Sequence, residues 1–185
     1  MNRDMNRIVL SIVLVFALLA PAHAQSRSAV ETSTDVLMFL PGAVGAGVSL
    51  FKGDTKGFWQ LAGSGATAVA ASYLLKYTVH KKRPDGSDNK SFPSNHTAAA
   101  FAGAAYLQRR YGWEWGAPAY AVGAYVAWGR VYAKRHDFWD VLAGAAIGVG
   151  SAYIYTRPFA REHNVVIGPA FTPDGAPAFY FSMNF

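Results

Sequence analysis

The chain has 185 residues, 52% of them hydrophobic and 15% charged, and this composition fits one domain with a substantial core and excludes a disordered polymer. It contains no cysteine, which excludes a disulfide framework, a thiol nucleophile and a metal site built from thiolates. The formal net charge of +6 suits anionic partners such as phosphate-bearing ligands, and the sequence shows no nucleic-acid-binding motif.

The N-terminal residues have the pattern of a secretory signal peptide. Arg3 and Arg7 precede an apolar run over residues 8–20, and the small-residue pattern "AHA" ends at Ala24. We therefore predict cleavage after Ala24 and export to the periplasm, with residues 1–24 as the signal peptide. An uncleaved anchor helix is the alternative.

The central part of the chain predicts about five helices. A polar stretch precedes the first of them, and mostly short connections favour antiparallel neighbours. The predicted helices are Val36–Phe51, Phe58–Val79, Ser94–Arg110, Pro118–Tyr132 and Asp137–Tyr155. The expected fold is all-α, an antiparallel helical bundle over residues 25–160. Whether its helices are inserted in a membrane or only attached to one stays open, because most apolar runs are shorter than the ~18 residues of a spanning helix.

The C-terminal residues differ in kind from the helical part. Two extended segments, "NVVIGPAF" and "AFYFSMNF", flank an Asp-Gly turn and predict a β-hairpin over residues 161–185. Alternating aromatic residues and a terminal Phe185 are also typical of the closing strand of an outer-membrane barrel. One hairpin cannot close a barrel, so we expect a ribbon that packs on the bundle.

Polar residues fall near the ends of the predicted helices. Because antiparallel helices alternate in direction, the end of one and the start of the next lie at the same end of the bundle. The residues concerned are Lys76 and Arg83 after the second helix, Ser94 and His96 at the start of the third, Arg130 near the end of the fourth, and His136 and Asp140 at the start of the fifth. We expect them to form one site.

Three cations in such a site require an anion. Lys76, Arg83 and Arg130 would repel one another around an empty cavity, and an oxyanion removes that cost. Helix starts add backbone N–H donors and the positive ends of their dipoles. Phosphate is the simplest ligand for this arrangement.

The two histidines suggest how a phosphate ester would react. His136 and Asp140 are four residues apart on one predicted helix, so the carboxylate can fix the imidazole tautomer and leave the other nitrogen to attack phosphorus. His96, on another helix, can donate a proton to the leaving oxygen. The implied reaction is phosphoryl transfer through a phosphohistidine, with water as second acceptor and without a metal or other cofactor.

Each of these features has a simpler interpretation when taken alone. Ser94 is then a helix cap, and His136 with Asp140 a capping or salt-bridged pair. The basic run over residues 80–83 is then a solvated or headgroup-facing loop, an interpretation we keep for Lys81 and Lys82. The expected convergence of several polar positions favours an active site over these separate interpretations.

These residues also carry a family resemblance. The sequence resembles the type 2 phosphatidic acid phosphatase (PAP2) family, which is related to bacterial acid phosphatases and vanadium haloperoxidases. The family motifs Lys-x6-Arg-Pro, Pro-Ser-Gly-His and Ser-Arg-x5-His-x3-Asp correspond here to "KYTVHKKRP", "PSNH" and "GRVYAKRHDFWD". The resemblance implies a PAP2-like bundle and a role for each matched residue: Lys76, Arg83 and Arg130 hold the phosphate, Ser94 hydrogen-bonds it, His96 is the acid, His136 the nucleophile and Asp140 its orienting carboxylate.

Two positions depart from the family motifs. Asn95 replaces the motif glycine and joins the residues expected to contact phosphate; asparagine tolerates a positive φ, so the turn is expected to survive. Gly129 replaces the serine before Arg130 and removes one hydroxyl. Substrate preference is the property that these differences put in question.

The leading functional hypothesis is an exported phosphatase that hydrolyses a phosphate monoester or a diphosphate ester, with a phosphorylated lipid as the substrate, at or near a membrane. Aromatic residues expected beside the site either contact a lipid chain or pack ordinarily. They are Phe92, Trp113, Trp115, Phe138 and Trp139. Three alternatives stay open: an acid phosphatase for soluble esters, vanadate-dependent halide oxidation, and a non-catalytic envelope protein that binds anionic lipids.

Overall fold

The computed structural model describes residues 26–159, 166–172 and 176–182, so the predicted signal peptide lies outside the described residues. The helices within these ranges are α1 (Arg27–Leu37), α2 (Leu40–Phe51), α3 (Thr55–Thr78), α4 (Asn95–Tyr111), α5 (Trp113–Tyr132) and α6 (Phe138–Tyr155). Because α1 and α2 follow each other almost without a break, together they take the place of the first of the five predicted helices. The helical fold class is confirmed.

The first helix begins at Arg27, and the prediction that it begins at Val36 is wrong. Ser26 caps it, since the Ser26 side-chain oxygen accepts a hydrogen bond from the Ala29 backbone N–H at 3.2 Å. Val30 and Thr34 lie four residues apart on one face and are both buried. The polar residues between them hide this helical spacing in the sequence. The helix packs on α5.

The fourth predicted helix also begins earlier than expected, at Trp113 instead of Pro118. Gly112 has φ 97°, a conformation that glycine adopts without strain, and it ends α4 and starts α5. Pro118 lies inside α5, in its second turn, where it removes the backbone hydrogen bond to the Glu114 carbonyl, and the helix continues through it. The turn between α4 and α5 is therefore much tighter than the sequence pattern suggests.

Helix α4 is central, and α2, α3, α5 and α6 all pack against it. The approach of α6 is especially close because two of its glycines face α4. A Cβ atom at Gly144 would lie 2.5 Å from the Ser94 carbonyl oxygen, and one at Gly148 would overlap the Ala98 carbonyl oxygen. This contact holds the start of α6 beside the start of α4.

Adding a methyl group at this contact is expected to destabilise the protein. We expect Gly148→Ala to lower the free energy of unfolding by about 1–3 kcal/mol, because the new Cβ meets backbone atoms of α4 that cannot move independently. Gly150→Ala on the same helix is the matched control, since nothing lies within 4 Å of its Cβ position. Its better helix propensity should leave stability unchanged or raise it by up to about 1 kcal/mol. Denaturant unfolding followed by circular dichroism measures both; equal effects would contradict the assignment of a close contact.

Two short strands, β1 (Val166–Phe171) and β2 (Pro177–Ser182), follow the helices. Their backbones pair antiparallel, with Val166 opposite Ser182. Residues 173–175, where the turn was predicted, and the side chains of both strands lie outside the described residues. The hairpin and its packing on the bundle therefore stay a prediction.

Two helical stretches of the described residues are long and apolar enough to cross a membrane by length and composition, Arg27–Phe51 and Phe138–Tyr155. Large apolar side chains are also exposed on several helices, among them Trp59, Trp139 and Ile154. Apolar surface of this extent is typical of proteins that associate with a membrane or with a partner.

Candidate active site

The structure brings the predicted site residues together at one end of the bundle. They come from the ends of α3 and α5, the starts of α4 and α6, and the loops between them. The positions are Lys76 in α3, Arg83 after it, Ser94, Asn95 and His96 at the start of α4, Arg130 in α5, and His136 and Asp140 around the start of α6. Hydrogen bonds between Ser94 and Asp140, Lys76 and Pro93, and His136 and Arg130 show that these helix ends meet.

His136 precedes α6 and does not lie on it, contrary to the prediction that His136 and Asp140 share a helix. Asp137 is the N-cap, and its side chain accepts hydrogen bonds from the backbone N–H groups of Trp139 and Asp140 at 3.0 and 3.1 Å. The His136 backbone N–H donates to the Arg130 carbonyl at 3.2 Å, which ties the loop to the end of α5. The cap therefore starts α6 two residues after His136, which stays in the loop held at the end of α5.

The imidazole of His136 still lies beside the Asp140 carboxylate. Its Nδ1 is 3.6 Å from Asp140 Oδ2, and both side chains are almost fully buried. Nδ1 has no hydrogen-bond partner closer than this among the described residues. With Nδ1 facing the carboxylate, Nε2 is the nitrogen available to a reacting group.

The carboxylate of Asp140 is anchored by residues that were not assigned to the site. Lys81 Nζ lies 2.8 Å from Asp140 Oδ1 and 2.5 Å from Asp137 Oδ2. The Ser91 hydroxyl donates to Asp140 Oδ2. The solvated-loop interpretation of Lys81 is therefore wrong, whereas Lys82 is exposed as expected. Although burial raises the pKa of Asp140, its contacts with His136, Lys81 and Ser91 hold that pKa far below the usual range.

Lys76 is buried and fixes the loop that precedes α4. Its ammonium group donates hydrogen bonds to the carbonyl oxygens of Lys90 and Pro93 at 2.8 and 2.7 Å. Burial, with the nearby Arg83 cation, lowers the pKa of Lys76 to about 8. A bound anion would offset the repulsion from Arg83 and favour the charged form of Lys76.

Both arginines of the site contact carboxylates. Arg83 Nε lies 2.8 Å from Asp88 Oδ1, and Arg130 Nη1 lies 2.6 Å from Asp35 Oδ1. Arg130 Nε is buried and has no hydrogen-bond partner among the described residues. Arg130 thus retains an unused donor.

The start of α4 is a capped helix end. The Ser94 hydroxyl oxygen accepts a hydrogen bond from the Thr97 hydroxyl at 3.0 Å, and the Ser94 backbone N–H donates to the Asp140 carbonyl at 3.0 Å. Asn95 is the first residue of α4 and does not have a positive φ. The tolerance of asparagine for a positive φ therefore does not explain why this residue replaces the motif glycine. Its side-chain oxygen is buried and has no partner among the described residues.

His96 contacts an acidic residue that sequence reasoning missed. Its Nε2 lies 2.9 Å from Asp35 Oδ1, so Asp35 reaches both His96 and Arg130. Burial, with the positive charge of Arg130, lowers the pKa of His96 to about 4. Asp35 was missed because it lay in the polar stretch before the first predicted helix; the capping serine, Ser26, was the available signal.

Only part of the predicted aromatic surround lies near the site. Phe138 and Trp139, next to the N-cap of α6, are 61% and 67% exposed. Phe92, in the loop before α4, is partly buried. Trp113 and Trp115 begin α5, whose other end carries Arg130, and Trp115 is a core residue. The expectation that these two tryptophans flank the site is wrong, because the predicted break placed them in a loop.

The lowered pKa values of His96 and His136 predict how stability depends on pH. Burial lowers the pKa of His96 to about 4 and also lowers that of His136, whereas an unfolded chain protonates both near pH 6.5. The unfolded state therefore binds more protons, and the free energy of unfolding should fall as pH drops from about 6.5 to about 4. Thermal or denaturant unfolding across this range tests it. His96→Gln should flatten the slope, and a slope unchanged in that variant would contradict the assignment.

The chain is similar in sequence and in fold to several known proteins. A family model described as the PAP2 superfamily matches residues 57–163. A Helicobacter pylori protein named lipid A 4'-phosphatase is 32% identical over 169 residues, with 85% of each chain covered. A Porphyromonas gingivalis lipid A 1-phosphatase is 35% identical over 107 residues, which cover 54% of this chain and 24% of that protein. The crystal structure of Aquifex aeolicus LpxE shares the fold, with a TM-score of 0.52 and 24% identity over 65% of this chain and 84% of that chain.

Proposed function

Because the chain belongs to the PAP2 superfamily and is a phosphoric ester hydrolase of this type, we propose that it removes phosphate from a lipid through a phosphohistidine on His136. One observation carries the proposal: His136, His96 and three cationic side chains converge at one end of the bundle. The relatives named lipid A phosphatases support an acylated sugar phosphate as the substrate class.

The cationic residues bind the phosphoryl group in this proposal. Burial lowers the pKa of His136, and the positive charges of Lys76, Arg83 and Arg130 lower it further, which supports a cationic environment around its imidazole. Charge-assisted hydrogen bonds from such groups orient a phosphate and stabilise the charge that builds up on its oxygens. The buried side chain of Ser94 and the partly buried side chain of Asn95 complete the wall at the start of α4.

The first step transfers the phosphoryl group to the enzyme. His136 Nε2 attacks phosphorus, the P–N bond forms, and the bond to the ester oxygen breaks. Asp140 accepts from the Nδ1–H and stabilises the positive charge that the imidazole acquires. Lys81 and Ser91 keep the carboxylate in place for this role.

His96 serves both steps as the proton carrier. It gives a proton to the leaving alkoxide in the first step, and in the second it takes one from the water that attacks phosphorus as the P–N bond breaks. Burial and the positive charge of Arg130 lower the pKa of His96 to about 4. A phosphate dianion in the site adds negative charge beside the imidazole, which raises the pKa toward the range of an effective acid.

Lipid specificity and location complete the proposal. The exposed Phe138 and Trp139 lie two and three residues after His136 and offer apolar contacts to an acyl chain. Two apolar helical stretches and the exposed aromatic surface support membrane association. We also keep export by residues 1–24 and the C-terminal hairpin as parts of this proposal, as the sequence pattern predicts.

The proposal is tested by phosphate release in detergent with a chelator present. The substrates are lipid A and the same phosphorylated disaccharide without acyl chains. We expect chelator-insensitive release that is much faster from the acylated compound. Equal rates would favour the soluble acid phosphatase, and binding to anionic vesicles without any release would favour the non-catalytic envelope protein.

A further inference from the structure

We propose that Asp35 is a further active-site residue, whose carboxylate occupies the place of a phosphate oxygen between His96 and Arg130 until the substrate displaces it. The inference rests on the proposed function, since it takes these two side chains as phosphate-site groups. Asp35 lies in α1, outside all three sequence motifs of the family.

A single oxygen atom of Asp35 makes both contacts. Asp35 Oδ1 is 2.9 Å from His96 Nε2 and 2.6 Å from Arg130 Nη1. A carboxylate oxygen and a phosphoryl oxygen carry similar charge and accept the same hydrogen bonds. The proton donor and the phosphate-binding cation of the proposed reaction therefore already share an anionic oxygen.

The packing of α1 explains why the carboxylate reaches this position. A Cβ atom at Gly129 would overlap the Thr34 methyl group and lie 3.1 Å from Val30 Cγ1. The family motif has serine where this chain has Gly129, and a serine Cβ would push α1 away. Glycine lets α1 settle against α5, and Thr34 then also accepts a hydrogen bond from Arg130 Nη1 at 3.3 Å. Gly129, which departs from the family motif, thus permits the packing of α1 that brings Asp35 to Arg130.

The Asp35 carboxylate lies where it can rotate away from Arg130 into solvent. Its side chain is 48% exposed, whereas the Arg130 side chain beneath it is 5% exposed. Rotation of Asp35 into solvent would open the anion position without moving Arg130. If Asp35 stayed, two negative groups would share one small region, so phosphate binding includes the cost of displacing it.

Calorimetric titration with inorganic phosphate, in detergent and without substrate, measures this cost. We expect Asp35→Asn to bind phosphate about tenfold more tightly than the wild-type protein, because a neutral amide competes less well for Arg130. Asp35→Ala should change the affinity in the same direction. Glu31→Gln is the matched control, as Glu31 is one turn earlier on α1 and contacts Arg135 at 2.7 Å instead of Arg130. Its effect should stay within about twofold.

Equal or weaker phosphate binding by both Asp35 variants would overturn the inference, since a carboxylate that only positions His96 and Arg130 helps binding. Absence of phosphate binding in both variants would overturn it as well. Phosphate release from lipid A by the wild-type protein then decides separately whether the proposed function stands. A gain of affinity as large in Glu31→Gln as in Asp35→Asn would also contradict it, because the effect would then reflect net charge alone.

Discussion

Replacing His136 with alanine is expected to lower the rate of phosphate release by about 10⁴-fold or more, because the variant has no nucleophile and the two-step route is closed. Inorganic phosphate should still bind, since Lys76, Arg83 and Arg130 remain. The steady-state rate with lipid A and a calorimetric phosphate titration measure the two properties on the same preparation. A loss of turnover with binding retained separates a chemical role from a structural one.

His80→Ala is the matched control for this variant. His80 lies in the basic run before α4, is exposed, and is separate from the contacts described for His136 and Asp140. We expect its turnover to stay near that of the wild-type protein. Comparable turnover in the His136 variant would contradict the assignment of the nucleophile.

Replacing Arg110 with methionine is expected to lower the free energy of unfolding by about 3–5 kcal/mol, because it leaves the buried carboxylate of Asp54 without its cation. Arg110 donates to Asp54 from Nε and Nη2 at 2.7 and 2.6 Å, and both side chains are at most 1% exposed. Tyr111 donates to the same carboxylate at 2.7 Å. This cluster joins the end of α4 to the turn before α3, at the end of the bundle away from the candidate active site.

Arg109→Met provides the comparison for this stability prediction. Arg109 is the preceding residue, is partly exposed, and donates one hydrogen bond to the Thr156 carbonyl at 2.8 Å. Its replacement should cost about 1 kcal/mol. Denaturant unfolding of both variants gives the difference, and similar losses would show that the buried pair is not the source of the stability.

The position of the site could be predicted from the sequence because it depends only on where the helices start and on their antiparallel order. The capping serine at Ser94 and the acidic Asp137 mark the starts of two helices, and the structure places both as N-caps. Given helix starts and antiparallel neighbours, the end of α5 with Arg130 must meet them. The roles of the individual side chains stay predictions.

Other parts of the site could not be read from the sequence because they depend on tertiary contacts. Asp35 can be assigned to the site only when α1 is known to be helical and to pack against Gly129. Lys81 resembles a solvated lysine until the fold brings Asp140 to it. The error at Trp113 has a local cause, since one glycine makes the turn for which a longer loop was expected.

The central claim is tested most directly by trapping the covalent intermediate. The protein is mixed with lipid A, quenched in base within a fraction of a turnover, and digested for mass spectrometry under conditions that preserve phosphohistidine. We predict a phosphoryl group on the peptide that contains His136, absent from the His80 peptide and from the His136→Ala protein. Rapid phosphate release with no phosphorylated His136 at any quench time would contradict the account, because water would then attack the substrate directly.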